Sequence, residues 1–170
     1  MMRAAAFAAL ALCFATPALA DPPCSKLAWP LVHEQALMKA PAAHVNSGAI
    51  LGVLPDQSLA LALRPSGDAK LPFPSAKPGD PQKFAGYLRI TVPPGDYLVS
   101  LSSEGWIDVY QDGIVVASTA HTGDPNCPGL RKSVRFPLGD KPVTLQISNA
   151  PAAAVTVAIT PVPLASGTTP

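Results

Sequence analysis

Hydrophobic and polar residues alternate most regularly between Tyr87 and Val92. Leu88, Ile90 and Val92 fall on one side of this run, and the residues between them fall on the other. A period of two is typical of a β-strand with one buried face. The sequence Pro93-Pro94-Gly95-Asp96 follows and predicts a reversal of the chain.

Two further runs continue this pattern. The alternation restarts from Tyr97 to Leu101, and a third run extends from Trp106 to Tyr110. The pair Asp112-Gly113 then gives a strong signal for a tight hairpin. Residues 84–113 are therefore predicted to form the middle of an antiparallel sheet.

Other segments also have the length and composition of strands. The predicted strands are Ala49 to Leu54, Ser58 to Arg64, Ile114 to Ser118, Leu130 to Leu138, Val143 to Ser148 and Ala154 to Ile159. Their inward residues are predicted to be Leu59, Leu61, Leu63, Val143, Leu145, Ile147, Val155, Val157 and Ile159. Pro65 to Pro81 predicts a long connection with one short edge strand, and Thr119 to Gly129 predicts a loop.

The best helical pattern extends from Leu27 to Ala40. Apolar residues recur there at spacings of three and four, Pro30 falls in the first turn, and Pro41 follows the end. We expect this helix to pack its apolar side against the sheet. His33 and Glu34 are adjacent, so they point about 100° apart and are expected on the solvated side.

About nine short strands with one helix before them predict a mainly β fold. The expected architecture is an antiparallel β-sandwich or jelly roll with one N-terminal helix. The 21 prolines agree with this, because most of them lie where a strand must stop. Strands do not alternate with helices, so a parallel α/β fold is excluded.

The first 20 residues have the three parts of a secretory signal peptide. Arg3 supplies the positive charge, an apolar run follows, and Ala18-Leu19-Ala20 fits a cleavage site before Asp21. We expect an exported protein, periplasmic or secreted, without a membrane-spanning segment, because Pro17 ends the apolar run before about 20 residues. The predicted regions are a signal peptide at 1–20, an N-terminal helical segment at 21–47, a β-sandwich at 48–160 and a disordered tail at 161–170.

Cysteine usage supports export. Cys13 would leave with the signal peptide, so Cys24 and Cys127 would be the two cysteines of the mature chain. In an oxidising compartment such a pair is predicted to form a disulfide. No His or second Cys lies near Cys127 in sequence at metal-ligand spacing, which disfavours a reactive or metal-binding thiol.

The charge balance bears on the kind of partner. Removal of Arg3 takes Lys and Arg from 12 to 11, which equals the 11 Asp and Glu. A neutral mature chain does not indicate nucleic acid or an anionic membrane as a partner.

The order of the strand motifs resembles that of a known family. A strand, a Pro/Gly turn, the G-x-Y strand at Gly95-Asp96-Tyr97 and the acidic strand at Asp108-Val109-Tyr110 follow one another, and Val134 to Leu138 and Val143 to Ser148 come next. This order resembles bacterial pre-peptidase C-terminal β-sandwich domains, over Phe84 to Ile159. The resemblance implies a non-catalytic accessory module on exported proteins, in some cases in contact with carbohydrate or matrix.

The sequence contains little that indicates catalysis. The histidines are His33, His44 and His121, and no serine lies in a G-x-S-x-G elbow. The alternative is a small cupin-like non-haem iron dioxygenase that cleaves aromatic rings, of the homogentisate dioxygenase type. It would have to assemble its ligands from His33 or His44, His121 and one glutamate, far apart in sequence. We predict no catalytic residue, no metal and no cofactor.

The strongest binding candidate is the third run. Trp106, Asp108 and Tyr110 share one face, while Ile107 and Val109 share the other. If the aliphatic face is the core, an aromatic-acid-aromatic row faces outward and could stack on sugar rings or fill a partner's pocket. Alternatively, the two aromatics cover the sheet under the N-terminal helix, and Asp108 accepts a hydrogen bond from a nearby turn.

Basic residues supply a second binding candidate. Arg131, Lys132 and Arg135 lie close together and, with Arg89, could form a patch for an anionic ligand. Alternatively they discourage edge-to-edge strand pairing. We therefore expect a non-catalytic binding or structural accessory protein whose partner is a carbohydrate or another envelope protein. The predicted ligand-binding residues are Trp106, Asp108, Tyr110, His121 and Arg131.

Overall fold

A computed structural model of the chain describes residues 22–162. Within this range two multi-stranded β-sheets and one α-helix are present, so the predicted mainly β sandwich with one N-terminal helix is confirmed. The predicted signal peptide at 1–20 and residues 163–170 of the predicted tail lie outside the described residues.

The elements follow one another with short connections, except between β4 and β5. The helix is α1 (Val32–Lys39), and a 3-10 turn covers Ser66–Asp68. The strands are β1 (Ala43–Asn46), β2 (Ala49–Leu51), β3 (Leu59–Ala62), β4 (Arg64–Pro65), β5 (Phe84–Ile90), β6 (Gly95–Leu101), β7 (Trp106–Gln111), β8 (Ile114–Val115), β9 (Ala120–Gly123), β10 (Lys132–Leu138), β11 (Val143–Ala150) and β12 (Ala154–Pro161).

Each sheet consists mainly of antiparallel neighbours. Sheet A has the order β1-β3-β12-β6-β10-β9, and sheet B has the order β2-β5-β11-β7-β8 with β4 beside β5. The pairs β1–β3 and β2–β5 are parallel. The predicted hairpin between β7 and β8 is confirmed: Gln111 pairs with Ile114, and Asp112 and Gly113 have φ of 51° and 77°. Two positive φ angles are what a two-residue type I′ turn requires.

The core lies between the two sheets. The predicted inward residues of β3, β5, β11 and β12 are all buried in one hydrophobic cluster, together with Val99, Leu101, Ile107 and Val109. Complete burial of one such aliphatic side chain contributes about 1.5–3 kcal/mol. This layer is therefore the main source of stability, and it fixes which face of each strand is left for other contacts.

Residues 84–113 do not form one sheet. β5 and β7 belong to sheet B, whereas β6 between them belongs to sheet A. The prediction of three neighbouring strands was therefore wrong. The alternation of residues identifies the buried face of a strand, but it carries no information on which strand pairs with it.

The N-terminal segment packs on the outer face of sheet A, and its helix is shorter than predicted. α1 begins at Val32, after Leu31, which is buried with Leu98, Cys127 and Leu130. Glu34 is buried and accepts a hydrogen bond from the Thr160 hydroxyl, whereas Val32 is 75% exposed. The prediction of a solvated Glu34 was therefore wrong.

The segment before the helix explains why Glu34 rather than Val32 faces the sheet. Cys24 and Cys127 are bonded, with an S–S distance of 2.06 Å, so the predicted disulfide is confirmed. Asp124 accepts backbone hydrogen bonds from Asn126 and Lys26 at 2.9 and 3.1 Å, and these bonds lower the pKa of its carboxyl group. The disulfide and the hydrogen bond from Lys26 hold the start of the N-terminal segment against the loop that follows β9. The helix begins from this anchored segment.

Two short strands were missed. β9 lies within the predicted loop from Thr119 to Gly129, and β1 lies within the predicted helical segment 21–47. Both are four-residue edge strands whose pairing depends on neighbours distant in sequence. The short edge strand predicted between Pro65 and Pro81 is not formed: β4 ends at Pro65, and residues 66–81 contain a 3-10 turn and no strand. Among residues 22–162, no helix has the length and hydropathy needed to cross a membrane.

Candidate ligand cavity beside Trp106

Strand β7 turns one face to the core and the other to the outside of sheet B. Ile107 and Val109 are part of the core, so Asp108 and Tyr110 point outward, as their alternation predicts. They are nevertheless only 4% and 8% exposed, because residues 71–80 cross this face. We call residues 71–80 the covering segment.

Polar side chains of sheet B hold the covering segment through its backbone. The Gln146 amide donates to the Phe73 carbonyl oxygen and accepts from the Phe73 N–H, at 3.1 and 2.9 Å. Tyr110 donates its hydroxyl proton to the carbonyl oxygen of Pro74, and its ring stacks on Phe73 with centroids 4.5 Å apart. Burial and the nearby Asp108 carboxylate raise the pKa of Tyr110, so its hydroxyl remains a donor at neutral pH.

Asp108 links the covering segment to the indole of Trp106. One carboxylate oxygen accepts from the Ser75 hydroxyl at 2.8 Å and from the Ala76 N–H at 3.2 Å. The other oxygen accepts from Nε1 of Trp106 at 2.9 Å. A buried carboxylate with three donors is fully engaged, and these bonds also fix the orientation of the indole plane.

Trp106 is held in place but remains accessible. It is 39% exposed, although it is a large aromatic residue. The ammonium groups of Lys77 and Lys132 lie 5.7 and 5.8 Å from the centroid of its ring. Both distances are within the range of a cation–π interaction.

A cavity of about 390 Å³ opens beside this ring, and we call it the Trp106 cavity. It lies where β7 of sheet B faces β9 and β10 of sheet A. A second hollow of about 310 Å³ shares Trp106, Arg131 and Lys132 with it. The Trp106 cavity is lined by Trp106, Ile107, Ser118, His121, Thr122, Gly123, Arg131, Lys132 and Val134.

The register of β10 places a lysine at this opening. Lys132 pairs with Leu101 on one side and with Gly123 on the other, and it shares its face with the core residue Phe136. A Cβ atom at Gly123 would lie 2.9 Å from the carbonyl oxygen of Arg131. The close approach of β9 to β10 at the cavity therefore requires glycine at this position.

The Trp106 cavity and the second hollow beside it carry positive charge that is not paired: Lys132 lines both, whereas Lys77 lines only the second hollow. Arg131 forms an ion pair with Glu104 at 3.3 Å, but neither Lys77 nor Lys132 forms one with a carboxylate of residues 22–162. Burial lowers the pKa of Lys132, and the neighbouring Arg131 and Lys77 cations lower it further. The Asp108 and Glu104 carboxylates act in the opposite direction, so the lost hydration of the ammonium group is the main cause of the lowered pKa.

The structure divides the five predicted binding residues into two groups. Trp106, His121 and Arg131 line the Trp106 cavity together. Asp108 and Tyr110 face outward from the sheet as predicted, but they lie beneath the covering segment, so the expectation that a ligand could reach them was wrong. The alternative interpretation, a covered face, was right about burial, but the cover is residues 71–80 rather than the N-terminal helix.

The predicted basic patch is also divided. Arg135 lies over the ring of Trp29, and Arg89 lies over the ring of Tyr87. Neither lines the Trp106 cavity, so a patch of four basic residues is not formed there. Arg131 and Lys132 alone contribute to it.

Lys132 and Lys77 supply the positive charge near Trp106, and only the position of Lys132 could have been predicted from the sequence. Lys132 belongs to the inward row of β10 with Val134 and Phe136, so its direction could have been read from the alternation. Lys77 is on the covering segment. Its position depends on hydrogen bonds to residues more than 30 positions away, which no local pattern reveals.

A metal site of the kind that the dioxygenase alternative needs is not assembled in the described part of the chain. Within residues 22–162, no three His, Cys, Asp or Glu side chains are placed to hold a metal ion. Comparison of the chain with protein-family models, with curated proteins and with solved structures gave no match.

Proposed function

We propose that this is an exported, non-catalytic binding protein and that the Trp106 cavity binds a saccharide. The observation that carries this proposal is the state of Trp106. Its ring is 39% exposed, yet its Nε1 is bonded to a buried carboxylate. A ring already fixed in its bound orientation loses little conformational entropy when a ligand stacks on it.

The rest of the lining suits a sugar. The C–H face of a pyranose packs on an aromatic ring, and its hydroxyl groups need donors and acceptors nearby. Ser118, Thr122 and His121 line the same cavity and provide side chains that hydrogen-bond to hydroxyl groups. A volume of about 390 Å³ falls within the usual range for small-molecule sites.

Two sequence features support the exported location. The signal-like residues 1–20 and the bonded Cys24–Cys127 pair are both typical of proteins in an oxidising compartment such as the periplasm. The accessory role implied by the resemblance to pre-peptidase C-terminal domains agrees with this proposal and is part of it.

The test is binding of a panel of oligosaccharides, measured by isothermal titration calorimetry. We expect one or more to bind wild type, and Trp106→Ala to weaken binding at least about tenfold, which corresponds to about 1.4 kcal/mol. Ile114→Ala is the matched control, because Ile114 is 71% exposed and lies beyond the other end of β7. Equal binding by wild type and Trp106→Ala, or no binding to any panel member, would refute the proposal.

A further inference from the structure

We infer that the saccharide is acidic and that Lys132, assisted by Lys77, is the residue that selects its negative charge. This inference rests on the proposed function, because it names the class of ligand for the same cavity. It comes from the charges around Trp106 rather than from the ring itself.

Lys132, which lines the Trp106 cavity, and Lys77, which lines the second hollow beside it, are the cations available to a ligand. Arg131 is already paired with Glu104, whereas Lys77 and Lys132 have no carboxylate partner within residues 22–162. Of the two nearby acids, Glu104 is the partner of Arg131, and Asp108 is 4% exposed and is enclosed by Ser75, Ala76 and Trp106. No Asp or Glu of the described chain lines the Trp106 cavity, so a ligand in it meets the ammonium group of Lys132 and, from the second hollow, that of Lys77.

Lys132 differs from a surface lysine in where its stem lies. It is half-buried on the inward face of β10, opposite Leu101, so part of the hydration of its ammonium group has been lost. Burial lowers its pKa for this reason. An anion in hydrogen-bonding contact would replace the lost hydration, and charge-assisted hydrogen bonds are the stronger kind.

The distances fit a charge attached directly to a stacked sugar ring. Both ammonium nitrogens lie less than 6 Å from the centroid of the Trp106 indole, at 5.7 and 5.8 Å. A uronic acid carries its carboxylate on a ring carbon, so a uronate packed on the indole places its charge beside these groups. A neutral sugar in the same position leaves them without a counter-charge.

The experiment compares each acidic oligosaccharide with its own neutral form. Oligogalacturonate, oligoglucuronate and oligomannuronate are each titrated beside the carboxyl-reduced oligomer, and sodium sulfate is titrated alone. In wild type we expect at least one acidic oligomer to bind about 10- to 100-fold more tightly than its reduced form, as one charge-assisted contact allows. This ratio should decrease as salt is raised.

The variants assign the preference to the lysines. Lys132→Gln is expected to remove most of the ratio. Lys141→Gln, at an exposed lysine that lines neither the cavity nor the second hollow, serves as control and is expected to keep the ratio of wild type. Lys77→Gln is expected to reduce the ratio partially. Since Lys77 is exposed on the covering segment, this variant also tests the inference if Lys132→Gln does not fold.

The other outcomes separate the two proposals. Equal affinity of wild type for acidic and reduced oligomers, both lost in Trp106→Ala, would overturn the charge preference and leave the saccharide site standing. Sulfate that binds as tightly as the acidic oligomers, with no loss in Trp106→Ala, would show a site for free anions and overturn the inference. Absence of binding by every oligomer would overturn both proposals.

Discussion

Asp108→Asn is predicted to destabilise the protein and to release Trp106. In the folded protein the carboxylate accepts from the Ser75 hydroxyl, the Ala76 N–H and the Trp106 indole N–H. An asparagine amide has only one oxygen. If that oxygen keeps the two donors of the covering segment, the amide N–H₂ faces the indole N–H, and neither donor has an acceptor.

The magnitude follows from these three bonds. An unsatisfied buried donor costs about 1–3 kcal/mol, and two hydrogen bonds that lose their charged acceptor lose about 1 kcal/mol each. Removal of a buried charge recovers part of this, because the carboxylate had been desolvated on folding. We therefore expect Asp108→Asn to lower the free energy of unfolding by about 2–3 kcal/mol.

The assay is urea unfolding followed by far-ultraviolet circular dichroism and by tryptophan fluorescence. Asp112→Asn is the matched control, because Asp112 is exposed in the β7–β8 turn and asparagine tolerates its φ of 51°. A stability of Asp108→Asn within about 0.5 kcal/mol of wild type, the usual range for surface substitutions, would refute this account of the covering segment.

Three further predictions concern the disulfide and two titratable groups. Replacing Cys24 and Cys127 by serine removes a cross-link between residues 103 positions apart. This should lower the free energy of unfolding by up to about 4–5 kcal/mol in the chain-entropy model. An unchanged midpoint of urea unfolding would contradict it. Asp124 has a lowered pKa in the fold, so its stabilising contribution is complete above about pH 5 and is lost as pH falls through about 4 and then through the folded pKa. Asp124→Asn should therefore be less stable than wild type at pH 7 and should lose less stability on acidification. If the free energy of unfolding has the same pH dependence in both proteins, this prediction is contradicted. Lys132 has a lowered pKa and an opening to solvent, so amine-reactive labels should modify it at a pH below the usual range for lysine. Peptide mass spectrometry can measure this, and modification only within the usual range would contradict it.

The alternation of residues predicted the core well. The residues predicted to point inward from β3, β5, β11 and β12 are all buried in the core, because a strand with one apolar face excludes water from that face only in one orientation. The disulfide was also predictable, since removal of the predicted signal peptide would leave two cysteines. Pairing between strands was not, and β6 lies in the other sheet from β5 and β7.

The candidate site was predictable in part. Trp106, His121 and Arg131 were named and are brought to one cavity. Asp108 and Tyr110 were expected to be available to a ligand, but the covering segment occupies them. The sequence of that segment predicts a connection, because it has few apolar residues. Its backbone is held by hydrogen bonds to Asp108, Tyr110 and Gln146, and the hydrophobic pattern of a sequence does not predict such bonds.

The most direct test of the proposed site is the indole N–H signal of Trp106 in a ¹H–¹⁵N NMR spectrum. The chain has two tryptophans, so Trp29→Phe assigns both signals. On titration with the tightest-binding oligouronate, the Trp106 signal is predicted to shift progressively with concentration while the Trp29 signal stays in place. A Trp106 signal that does not move at saturating ligand would contradict the claim that this ring is the binding surface.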